Sequence, residues 1–133
     1  MIGWVGDIEQ RTVDNATFRT VLFTGEHSQL TVMRIAPGED IGREVHPDHD
    51  QFLRIEQGSA RLELGSSEDA VDETYDVEED WAFVVPDAGR HDVVNTGTDD
   101  LKLYSIYSPA EHPDGTVHET KADAEAAEHA HRA

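Results

Sequence analysis

GREVHPDHDQFLRIEQG, residues 42–58, is the stretch whose reading decides the fold, and it must be read together with PDAGRHDVVN, residues 86–95. The first gathers a carboxylate, two imidazoles and a side-chain amide, Glu44, His46, His49 and Gln51, around a turn at residues 47–50. Past that turn the chain alternates. Gln51, Leu53 and Ile55 fall on one face of a strand, with Phe52, Arg54 and Glu56 on the other. In the second stretch His91 follows a Pro/Gly turn and leads a β-branched run that ends at Asn95.

Working outward, short strands continue in both directions. Residues 18–23 and 30–35 are rich in β-branched and aromatic side chains and are separated by turn-forming TGEHS. Residues 60–64 alternate Leu62 and Leu64 against Arg61 and Glu63, and residues 74–77, 82–85, 91–95 and 101–107 complete the set. Turn signals recur at intervals of roughly eight to twelve residues, the spacing of a sandwich or barrel. Residues 65–72, small and acidic, read as a hairpin loop. Only residues 121–131, rich in alanine and glutamate, read as a helix, and their apolar positions are too small to bury much.

The two quoted stretches, in this order and each running into a strand, resemble the two halves of the cupin signature. Gly58 closes the first motif, and counting back from it places Gln51 at the family's glutamate and Glu44 and His46 at its two histidines. Pro86, His91 and Asn95 keep the spacing of the second motif, with its glycine one place late at Gly89. The resemblance spans residues 30–108 and departs from the commonest pattern at Glu44 and Gln51. It implies an all-β fold, the cupin double-stranded β-helix or jelly-roll barrel, here with a short C-terminal helix. Residues 1–133 would form one cupin domain: N-terminal strands in 1–29, the barrel core in 30–108, and a C-terminal arm and helix in 109–133. The runs HSQLTVM (27–33) and VHPDHDQFLRIEQG (45–58), with the tail from Asn95, resemble small cupins often labelled mannose-6-phosphate isomerase-like. That label follows the fold and says little about substrate.

The resemblance further implies that Glu44, His46, Gln51 and His91 surround one divalent transition-metal ion. Glu44 and His46, two apart on a strand, would project from one face, and Gln51 would face them from the return strand. His91 would arrive from a distant strand, and Leu53, Ile55, Leu62 and Val93 would form a dry wall beneath. Such a mixed nitrogen and oxygen set suits zinc, manganese, iron, cobalt or nickel better than calcium or copper(I), without choosing among them. Gln51 in place of a glutamate removes one negative charge from the ligands. The competing reading of HPDHD is a solvated turn, and of a single strand histidine, a hydrogen-bonded structural residue.

Composition bounds the remaining possibilities. Asp and Glu number 29 against 10 Lys and Arg, a formal net charge of −19. Such an excess repels phosphate backbones and anionic lipids, so neither nucleic acid nor membrane is an expected partner. The carboxylates spread along the whole chain, a pattern expected of adaptation to high salt, where a Debye length of about 3 Å at 1 M screens self-repulsion. With no cysteine, disulfides and thiolate metal sites are excluded. MIGWVGDIEQRTVD has neither a basic leader nor a long apolar run, which makes the cytoplasm the expected location.

Two function classes follow. One is a metal-dependent enzyme, isomerase-like or oxygenase-like, acting on a small polar molecule such as a sugar. His49, or His118 carried in by the tail, is then the best available base. The other is a non-catalytic module that binds a small ligand or metal. Arg54 on the outer face and Arg90 beside His91 offer little to a phosphate ester, which counts against a phosphorylated substrate. Asn95 is expected to fix a loop, and Tyr104 and Tyr107 to be core or interface aromatics. Ile2, Trp4 and Val5 form an apolar N-terminal patch, from which a homodimer is expected.

Overall fold

The alternation of apolar and polar side chains folds the strands into two antiparallel sheets with their apolar faces turned toward each other. A computed structural model describes residues 2–45, 47–67, 69–87 and 89–132, of which 130–132 by backbone alone. The elements in chain order are α1 (Ile8–Asp14), β1 (Arg19–Thr24), β2 (Gln29–Ile35), β3 (Glu44–Val45), β4 (Asp50–Gln57) and β5 (Ser59–Gly65). They continue with β6 (Glu73–Glu78), β7 (Ala82–Val85), β8 (Arg90–Asn95), β9 (Leu101–Ser108), β10 (Val117–His118) and α2 (Lys121–Arg132). One sheet has six strands in the order β10-β1-β2-β9-β4-β7, the other four in the order β3-β8-β5-β6. This is the double-stranded β-helix expected from the sequence, with a short helix at either end.

Register explains which side chains meet. In the larger sheet Met33 lies opposite Leu103, which lies opposite Ile55; Ile35 lies opposite Leu101. In the smaller sheet Leu62 is opposite Val93 and Ala60 opposite Asn95. These inward residues are all buried, and all but the polar Asn95 form one hydrophobic cluster with Leu53, Val77 and Val85. Each fully buried leucine or isoleucine contributes about 1.5–3 kcal/mol relative to exposure, so this cluster holds the sheets together. Leu53, Ile55, Leu62 and Val93 thus form the apolar wall expected of them.

Turns at the far end of the barrel are set by backbone chemistry. Gly58, between β4 and β5, has φ +99°, and a Cβ there would lie 3.2 Å from both the Asp100 carbonyl oxygen and Leu101 Cα. Asn95 donates to the Ile35 and Asp99 carbonyls at 2.8 and 2.9 Å, while its Oδ1 accepts from the Gly97 amide at 2.9 Å. It fixes the β8–β9 loop, as expected. On the outer side of β8, Asp92 hydrogen-bonds Asp40, and burial followed by the Asp40 carboxylate pushes Asp92 up to about 7. Lys121 at the start of α2 binds Asp40, and Ala124 enters the core, so α2 is docked more firmly than its composition suggests.

Two expectations need correction. Residues 1–29 hold a helix as well as strands, because Asp7 caps α1 by accepting from the Gln10 amide at 3.1 Å and Thr12 is buried. Gln51 does not face Glu44 within one ladder. The partner of β3 is β8, so Glu44 and Gln51 lie in different sheets and only the barrel interior separates them. The C-terminal arm docks on the barrel, with β10 added to the edge of the larger sheet beside β1. Among the described residues no helix is long and apolar enough to cross a membrane.

Candidate functional site

One end of the barrel interior is polar where the other is apolar. Along β2 the inward positions run Gln29, Thr31, Met33, Ile35, and along β9 Leu101, Leu103, Ser105, Tyr107, all of them buried. Gln29 pairs across with Tyr107, which pairs across with Gln51, so three polar side chains cross the larger sheet in a row. Thr31 and Ser105 form the next row, opposite Leu53.

Gln51 is 3 % exposed. Its Nε2 donates to Ser105 Oγ at 2.8 Å, while its Oε1 is buried with no hydrogen-bond donor among the described residues. Across the interior, the β3–β8 ladder sets Glu44 directly opposite His91. His91 is 1 % exposed and Glu44 half-buried. The structure therefore gathers Glu44, Gln51 and His91 at the polar end; His46, the fourth residue expected to bind metal, lies outside the described residues. Among the described residues no group of three or more His, Asp and Glu is arranged to hold a metal ion. A site there requires the amide oxygen of Gln51 and the imidazole of His46.

Arg19 joins this constellation unannounced by the sequence motifs. It is 4 % exposed, and its Nη2 lies 3.4 Å from Glu44 Oε1, so the pair links an edge region of the larger sheet to β3. The signal was present in the strand itself: alternation puts Arg19 on the same face as Val21, which is buried. An arginine on an apolar face of a strand is a residue with a reason to be inside. The Tyr107 hydroxyl is driven well above its ordinary range, first by burial and then by the Glu44 and Glu111 carboxylates, with Arg19 opposing. It stays protonated at neutral pH.

The C-terminal arm closes over this end. It leaves β9 through a cis Ser108–Pro109 bond and returns to pair with β1. Gln29 anchors it: Nε2 donates to the His112 carbonyl at 2.7 Å and to Thr24 Oγ1 at 2.9 Å. Its Oε1 accepts from the Glu111 and His112 amides at 3.2 and 3.0 Å. The His112 ring meets Tyr107 edge-on at 5.2 Å between centroids, and His118 lies 6.3 Å beyond it. His49 contacts the Ala110 carbonyl at 3.0 Å and Glu111 Oε2 at 3.3 Å. Its ring thus meets the arm. His118 sits opposite Arg19 in the β1–β10 ladder, and burial, then the Arg19 charge, hold it below the ordinary histidine range.

A closed antiparallel barrel with one polar end defines a class of small double-stranded β-helix proteins. The cupin-domain family matches residues 31–107, and the chain belongs to that family. It is 55% identical over 125 residues to the uncharacterized protein YrkC of Bacillus subtilis, an alignment covering 94% of this chain and 67% of YrkC. It is 40% identical over 115 residues to the uncharacterized protein L612 of Acanthamoeba polyphaga mimivirus, covering 86% of this chain and 70% of L612. The crystal structure of BH2720 from Bacillus halodurans superposes with a TM-score of 0.91 at 50% identity, covering 92% of this chain and 93% of that one.

Proposed function

We propose that this cupin binds one divalent transition-metal ion through Glu44, His46, Gln51 and His91, and receives a small polar molecule beside it. The observation that carries the reading is the buried Oε1 of Gln51, which meets no hydrogen-bond donor among the described residues. A buried acceptor without a donor costs about 1–3 kcal/mol, and a cation facing it would remove that penalty. Glu44 and His91, opposed in the neighbouring ladder, supply a carboxylate and an imidazole on the same interior. The donor set therefore fits zinc, manganese, iron, cobalt or nickel. When bound, the ion would supply Lewis acidity toward an oxygen of the guest. Among this chain's own residues, Ser105 orients the Gln51 amide, Tyr107 offers a protonated hydroxyl, and the arm excludes water.

The test is metal analysis of protein purified without chelator or nickel affinity, with titration of the chelated protein. Near-stoichiometric metal that is lost in His91→Ala and in Gln51→Leu, both still folded, is the expected result. No metal as purified and none taken up on titration would overturn the reading. Turnover of a sugar-like substrate lost in His91→Ala would mark an enzyme; tight binding without turnover would mark a binding module.

A further inference from the structure

Arg19 has more hydrogen-bonding capacity than its surroundings use. A buried guanidinium is normally paired and hydrogen-bonded, since a charged donor left unmet in the interior is expensive. Its contact with Glu44, at 3.4 Å, is longer than the roughly 2.7–2.9 Å of a charge-assisted hydrogen bond. Its Nε is buried with no hydrogen-bond partner among the described residues, and the same is true of His118 Nδ1. These two residues are direct partners across the β1–β10 ladder. Two buried nitrogens with no partner among the described residues, one of them on a permanent cation, thus belong to residues paired where the arm joins the barrel.

We propose that Arg19 and His118 bind the carboxylate of a small monoanionic guest. Arg19 would donate from Nε, and His118 from Nδ1 in the tautomer that carries its proton there. The planar fork of a guanidinium matches a carboxylate. Charge decides the class: with Glu44 beside Arg19 the pair is neutral, so a dianionic phosphate ester would leave a net charge of −2 there and a monocarboxylate such as a hydroxy acid only −1. The proposal deepens the reading of this interior as a ligand site, rests on it for the guest's location, and does not need the metal.

Glycolate is the probe, with its uncharged amide analogue glycolamide and inorganic phosphate as controls, titrated into the full chain in chloride-free buffer. Binding is read by calorimetry and by the NMR shift of the Arg19 Nε–H. Glycolate should bind, move that resonance, and outcompete both controls; R19Q should weaken binding by about tenfold or more, the worth of a charge-assisted contact. E44Q, which removes the competing carboxylate, should tighten it, and this variant keeps the test alive if R19Q fails to fold. Equal binding of glycolate and glycolamide, preference for phosphate, or weaker binding in E44Q would overturn the proposal. Each titration is repeated with chelator and with added zinc. Glycolate binding without metal uptake would overturn the metal reading alone, and metal uptake without glycolate binding would overturn this one alone.

Discussion

Gln29→Leu should unlatch the arm without unfolding the barrel. Gln29 is buried in the second strand, and its amide makes four hydrogen bonds, one to Thr24 and three to the backbone of Glu111 and His112. Leucine fills nearly the same volume and makes none of them. At about 1 kcal/mol per hydrogen bond the loss is bounded near 4 kcal/mol. Residues 111 and 112 are only half-buried, so water recovers part of it, leaving about 2 kcal/mol. The arm is also held independently, by the Val21 amide donating to the Thr116 carbonyl at 2.9 Å and by the β1–β10 ladder. The deficit therefore falls on residues 109–113. Hydrogen exchange of that segment should accelerate by about 30-fold, the equivalent of 2 kcal/mol, with core strands β4 and β9 unchanged. Faster exchange spread evenly over β2, β4 and β9, with the arm no more affected than they are, would refute the view that the amide latches the arm.

Other expectations follow from the same structure. Gly58→Ala places a Cβ 3.2 Å from backbone atoms of Asp100 and Leu101 at φ +99°, and should lower stability in urea by about 1–3 kcal/mol; an unchanged midpoint would contradict it. Leu53→Ala, at a position fully buried in the core, should lower stability by about 2–5 kcal/mol in the same assay. With a net charge of −19, the thermal midpoint should rise steeply between dilute and molar KCl, and a flat profile would remove the salt-adaptation reading. Ile2 and Val5 are fully exposed, and light scattering in molar salt should give the mass of a homodimer; a monomer mass would rule it out.

The barrel was legible because strand periodicity survives in a half-buried sheet. Gln51, Leu53 and Ile55 could be assigned inward from alternation alone, and the structure buries all three. The motif spacing also brought Glu44, Gln51 and His91 to one interior. Partner choice between strands was less accessible. A strand of two residues such as β3 has no pattern of its own, and its pairing with β8 depends on barrel closure, which is a long-range property. α1 escaped because seven residues with one buried side chain carry almost no helical periodicity. Gln29 and Arg19 escaped for another reason. Arg19 falls within the strand expected at residues 18–23 and Gln29 one place before that expected at 30–35, and alternation sets them with Val21 and Thr31 on the inward face. Polar residues on a buried face are the positions where a sequence departs from the requirements of packing, and here they are the latch and the buried cation.

The charge of the interior ties the two proposed guests together. With glutamine at position 51, the residues offered to a metal carry one formal negative charge, that of Glu44, and Arg19 already draws on it. A divalent cation therefore meets a nearly neutral site, weaker than the acidic surface would suggest. A monocarboxylate seated on Arg19 changes that balance. It satisfies the guanidinium and adds a negative charge to the interior, which leaves Glu44 to the cation. The reverse also holds, because a cation engaging Glu44 removes the carboxylate that competes for Arg19. Each guest should raise the affinity of the other by the same factor, as linkage requires. The 3.4 Å contact between Arg19 and Glu44 is a loose internal pairing that both guests would replace.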